Sequence, residues 1–180
     1  FSQGGASNDY ISRVLLSQST RMVPDLVIAL FTHRSRFEHI DEKGSKCIGA
    51  WLLDDYGTKR RPILELAQTH YEIYTDELGF VSTLRNILLL ALFCRNLKIQ
   101  LIASWIEFRE CQKSEHGPEV QGLYDVLHDL DALTPFSLFD SDIGVDKAAD
   151  GAHPGVHSHS CFAHRLFEYY VKRVDGIAFS

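Results

Sequence analysis

Two almost unbroken apolar runs constrain this chain most: "LVIALF", after Pro24 and Asp25, and "KIQLIAS" at 98–104. Each has the length of a strand and lacks polar alternation, the pattern of a strand buried on both faces in the middle of a parallel sheet. Parallel strands need a crossover. Between the runs Leu78, Val81, Leu84, Leu88 and Leu92 recur every three or four residues, which predicts a long helix over 76–95, closed near Asn96. Strand, helix and strand in this order form a right-handed crossover unit.

Further helices are predicted by the same periodicity. Ser7 and Asn8 are N-cap residues ahead of Ile11, Val14 and Leu15, predicting a helix over 9–19. Val120, Leu123, Leu127 and Leu130 mark another, and 160–174 a last one. The stretch 32–75 mixes "THRSRFEH", "DEKGSK" and "DDYGTKRRP", and reads as a long excursion with short helical pieces, a place where binding surfaces are often carried. Helices alternating with apolar strands imply an α/β sandwich with a mostly parallel sheet and functional groups at the carboxyl ends of its strands. "THRSR" and "SWIEF" begin at such ends. At 180 residues the chain is one domain.

Composition narrows the function classes. With 45% hydrophobic and 23% charged residues the chain has the balance of a soluble globular protein. A net charge of −6 shows no footprint for nucleic acid or anionic lipid, and Lys59, Arg60 and Arg61 read as a solvated turn. The longest apolar run, 87–94, is shorter than the roughly 20 residues that span a bilayer, and the first residues do not form a signal peptide. Cys47, Cys94, Cys111 and Cys161 are scattered with no CxxC pair, which favours reduced thiols and a reducing compartment.

Chemistry concentrates in "DGAHPGVHSHSCFAHRL", 150–166. Asp150 and His153 form D-x-x-H. In a loop opening a helix this spacing lets the aspartate turn back onto one imidazole nitrogen, leaving the other to take a proton from a nucleophile. The plainer alternative is a helix-opening aspartate beside a surface histidine. His157, His159 and His164 add imidazoles, but structural zinc sites show tight paired spacings and no cysteine pair accompanies these, so no metal is expected. A second constellation, "GGASND" at 4–9, places glycines where backbone N–H groups can approach an anion, as in an oxyanion hole. Its plainer alternative is a glycine-rich turn with a helix cap.

Taken in order, "GGASNDYISR", "PDLVIALFTHRSRFE" and "DGAHPGVHSH…FAHRL" resemble the SGNH hydrolase superfamily, the GDSL esterases and lipases, and most of all its divergent phage and bacterial branch with a "G-x-S-N-x-x-I" motif. The resemblance implies a three-layer α/β/α sandwich that hydrolyses esters through a Ser-His-Asp triad, without a cofactor. It assigns Asp150 as triad acid, His153 as general base, and Gly5, with Gly4 as the alternative, as the backbone oxyanion donor. Where the family carries an asparagine after a buried strand, this chain has Thr32, His33 and Arg34, so His33 becomes the side-chain candidate for the oxyanion hole.

The family's first block, a G-D-S-like turn after the first strand, has no counterpart ahead of Gly4. Ser2 and Ser7 are the substitutes within the chain, and Ser7 is better explained as a helix cap. The resemblance therefore implies an amino-terminally incomplete domain over 1–180, its nucleophilic serine and first strand supplied by an upstream segment or a partner chain. The expected substrate is a small ester or an acetylated carbohydrate, with no nucleic-acid or membrane partner. A domain that keeps the fold without catalysis, in a viral or surface assembly, is the alternative. The compartment stays open between cytoplasm and virion.

Overall fold

A computed structural model describes residues 5–53, 62–113, 116–151 and 153–178. The helix α1 (Asn8–Arg21) leads into strand β1 (Leu26–Phe31), the hairpin strands β2 (Phe37–Asp41) and β3 (Gly44–Ile48), and helices α2 (Pro62–Ile73) and α3 (Asp76–Asn96). Strand β4 (Gln100–Trp105) comes next, then helices α4 (Phe108–Lys113), α5 (Pro118–Asp129) and α6 (Val156–Ala178). Both long helices near the sheet begin as their caps dictate. The Ser7 hydroxyl accepts the Tyr10 N–H at 3.2 Å, and the Thr75 hydroxyl accepts that of Leu78 at 3.2 Å.

The predicted order of strand, helix and parallel strand is present. β1 and β4 pair in parallel from Leu26↔Gln100 to Phe31↔Trp105, with α3 between them in sequence. Val27, Ala29, Phe31, Leu101, Ala103 and Trp105 share one face of this pair and form the main core with Phe80, Leu84, Ile87, Leu90 and Cys94 of α3. A smaller core lies apart, built from Phe136, Leu138, Ile143 and Phe162 of α6.

The sheet departs from the expected sandwich. Among the described residues the parallel pair is extended only by an isolated parallel bridge, Ala103↔Leu133, and the second sheet is the antiparallel hairpin β2–β3. The fold is thus mixed α/β. β1 is also not buried on both faces: Ile28 is 54% and Leu30 40% exposed, whereas β4 is buried from Leu101 to Trp105. The reason is coverage. The stretch after Leu133 bonds over β4, where Ser104 Oγ donates to Phe136 O at 3.1 Å, while β1 has neither that cover nor a strand on its outer edge among the described residues. Gln100 N donates to Asp25 O and Ile106 N to Phe31 O, so the peptide groups of Leu26, Ile28 and Leu30 point to that outer edge.

Other expectations need correction. The excursion at 32–75 contains a hairpin, with Asp41 paired to Gly44 across a tight turn and Gly44 at φ +114°. α6 begins at Val156, four residues before the predicted start at 160, because Asp146 caps it from outside the helix. α3 is apolar enough over 21 residues to cross a membrane by length and composition, since polar residues interrupt its apolar stretches without lowering their average much. Half of that window is buried in the protein, which is its role as the core helix. Cys94, Cys111 and Cys161 are free thiols, and burial pushes the Cys111 thiol up to about 11. Lys59, Arg60 and Arg61 lie outside the described residues.

Candidate functional site

The D-x-x-H segment closes on itself. Gly151 takes φ +70°, a left-handed conformation natural to glycine, and its N–H donates to Ala148 O at 2.9 Å. This turn brings Asp150 under His153. Oδ1 accepts the His153 backbone N–H at 3.0 Å and Oδ2 lies 2.5 Å from His153 Nδ1. The carboxylate thereby fixes both the backbone and the ring, selects the tautomer with hydrogen on Nδ1, and leaves Nε2 as the atom for proton transfer. Both side chains are well exposed, Asp150 at 52% and His153 at 70%.

Asp146 anchors this segment to α6. Its carboxylate accepts the N–H groups of Ser158 at 2.7 Å and His157 at 3.1 Å, and the fully buried Ser158 hydroxyl at 2.5 Å. Gly155 packs so closely that a Cβ there would collide with the Asp146 carboxylate. The hydrogen bonds, that of the Ser158 side chain first, hold the Asp146 carboxyl below the ordinary aspartate range. A depressed folded pKa stabilises above the unfolded value, near 4, and the gain is lost as pH falls through the folded value. The start of α6 is therefore expected to loosen below about pH 4. Amide exchange at Ser158 and His159 across pH, compared with Asp146→Asn, measures it; equal protection in the two chains would remove Asp146 as the cause.

His153 lines a groove of about 460 Å³ together with Gly5, His33, Arg36 and His159. The same groove runs along the uncovered side chains Ile28 and Leu30 of β1 and along Ile11, Val14 and Leu15 of α1. Three of the predicted site residues, Gly5, His33 and His153, thus share one cavity, with Asp150 behind the last. Gly5 has φ +72°, and a Cβ there would press on the Trp51 ring at 3.2 Å. Gly4 and Ser2 lie outside the described residues. Ser7 is fully buried as the α1 cap. Among the described residues that line the groove, hydroxyls come from Tyr10 and Thr32.

The turn after β1 is held firmly. Asn8 accepts the Thr32 N–H at 2.7 Å and donates to Thr32 O at 3.2 Å and Thr83 Oγ1 at 2.9 Å, while Trp105 Nε1 donates to the same Thr32 oxygen at 2.9 Å. Glu107, only 8% exposed, organises the next two residues. Its Oε2 accepts the Arg34 N–H at 2.6 Å, and its Oε1 meets Arg34 Nη1 at 2.7 Å and His33 Nδ1 at 3.2 Å. No motif marks Glu107 in the sequence. Its one signal is its position in "SWIEF", just past the carboxyl end of β4.

The remaining histidines disperse. His164 Nε2 lies 3.3 Å from Glu168, and His157 Nε2 lies 4.0 Å from Cys161 Sγ. No three histidine, cysteine or acidic side chains among the described residues converge as metal ligands. Comparison of the chain with protein families, with curated proteins and with solved structures finds no match.

Proposed function

We propose that this chain is the larger part of an SGNH-type ester hydrolase, with Asp150 and His153 as acid and base of its triad. The observation that carries this is the bonded Asp150–His153 pair on the same groove as the open edge of β1 and the Gly5 backbone. A strand laid along that edge would satisfy the peptide groups of Leu26, Ile28 and Leu30 and extend the parallel sheet toward that of a three-layer α/β/α sandwich. A nucleophilic serine on the turn after such a strand would enter the groove. His153 would take its proton, Asp150 would stabilise the imidazolium, and the Gly5 N–H with His33 would receive the tetrahedral oxyanion. The substrate is an ester, with an O-acetyl group on a carbohydrate as the favoured case.

Fluorophosphonate labelling of the protein as expressed from its natural coding sequence, together with its co-purifying chains, tests the reading. A serine adduct that disappears in His153→Ala supports it. No adduct on any chain supports the second reading, a non-catalytic binding domain, for which the observation is that the described groove lining offers no serine.

A further inference from the structure

Apart from the Tyr10 phenol, the ionisable side chains lining the groove are basic. His33, Arg36, His153 and His159 face it, and no aspartate or glutamate among the described residues does, in a chain of net charge −6. The carboxylates nearest these histidines are engaged, Asp150 by His153 and Glu107 by His33 and Arg34.

Arg36 is set apart from the other arginines near it. Arg13 grips Glu38 with Nε at 3.0 Å and Nη2 at 2.5 Å, and Arg34 pairs with Glu107, Glu110 and Asp76. Arg36 makes no ion pair with a described residue. Its Nη1 donates to Thr32 Oγ1 at 2.8 Å, and its guanidinium lies 5.0 Å from the centroid of the Trp51 ring. Burial lowers its pKa, and the charge of Glu107, which is already paired with Arg34, offsets that only in part. A guanidinium has five N–H donors in a planar fork suited to an oxyanion, and stacking on an indole fixes that fork in advance. Among the described lining residues Arg36 is thus the one arginine that an anion entering the groove would meet.

We infer that Arg36 is the anion-reading residue of the groove, so that the molecule bound there carries a carboxylate or phosphate. Resting on the hydrolase reading, this makes the substrate an ester of an acidic rather than a neutral carbohydrate, with Arg36 setting specificity. Arg36 also lines a second, smaller cavity with Asp9, Arg34, His70 and Arg85, where Arg34 is already paired with three carboxylates.

The test is an amide-resolved NMR titration of the full chain with glucuronate, a hexose phosphate and glucose at constant ionic strength. Both anions are expected to bind about tenfold more tightly than glucose and to shift the Thr32, His33 and Arg36 amides. Arg36→Gln is expected to abolish the preference, and Arg36→Lys, which keeps the charge, to retain part of it. Equal affinity for the three sugars overturns the inference. So does an undiminished preference in Arg36→Gln, or, if that chain does not fold, a preference in Arg36→Lys equal to the parent's. Because binding is read without turnover, the two proposals fail separately. Anion selectivity without a fluorophosphonate adduct removes the hydrolase and keeps the anion site, and an adduct without selectivity does the reverse.

Discussion

Exchanging His153 for alanine is expected to lower ester hydrolysis by the assembled protein roughly 10²- to 10⁴-fold, the range that a positioned general base supplies. The loss should fall on kcat and kcat/KM together, because the ring acts on the proton in transit rather than on the resting substrate. Asp150→Asn is expected to lose a comparable factor. The amide oxygen can still accept the His153 backbone N–H, but its NH₂ cannot satisfy the tautomer that leaves Nε2 basic. Since both side chains are more than half exposed, stability should change by no more than about 0.5 kcal/mol. Initial rates on nitrophenyl acetate, paired with urea midpoints, separate the two effects. A His153→Ala protein that hydrolyses at the parental rate would remove the dyad from the mechanism.

The largest effect on stability is expected at Trp105. Its side chain is fully buried, meets Phe80 edge-on with ring centroids 5.7 Å apart, and donates from Nε1 to Thr32 O. Trp105→Ala removes the apolar volume and leaves a cavity, at a cost of about 3–5 kcal/mol. Trp105→Phe keeps most of the volume and loses the hydrogen bond. Asn8 Nδ2 still serves the Thr32 oxygen, so the cost falls to about 1 kcal/mol. Because Thr32 immediately precedes His33, the Phe variant should also move the His33 amide resonance. Urea unfolding gives the first quantity and NMR the second. A Trp105→Ala midpoint close to the parent's would contradict the packing described for this face.

How legible the molecule was depended on how each element is stabilised. β1, β4 and α3 draw their stability from apolar burial, and their residues announce it by period. The hairpin does not: Phe37–Asp41 and Gly44–Ile48 are mostly half-exposed, so no apolar face alternates, and the turn glycine was the one strong mark. Ile28 and Leu30 misled for the opposite reason. They are as apolar as a doubly buried strand requires, but burial needs a covering element, and the described ones leave them about half exposed. The dyad was legible because only two residues separate its members. His33–Glu107 and Arg36–Thr32–Trp51 were not, since the first spans 74 positions and the second depends on a charge having no partner, which spacing cannot reveal.

The division of the apolar core into two clusters bears on how the site holds together. Gly5, His33 and Arg36 belong to the body around α1, β1 and α3, whereas Asp150 and His153 ride on the segment whose own small cluster is Phe136, Leu138, Ile143 and Phe162. Hydrogen bonds along β4 and just past it join the two: Thr134 N to Ala103 O at 2.8 Å, Ser137 Oγ to Ile106 O at 3.3 Å, and Arg173 Nη1 to Leu101 O at 2.9 Å. Small clusters open at lower free energy than large ones, and as cooperative units. The groove therefore straddles a seam between two such units. The Asp150–His153 side of the groove is thus expected to open at a lower free energy than the Gly5–Arg36 side, which amide exchange on each side would measure.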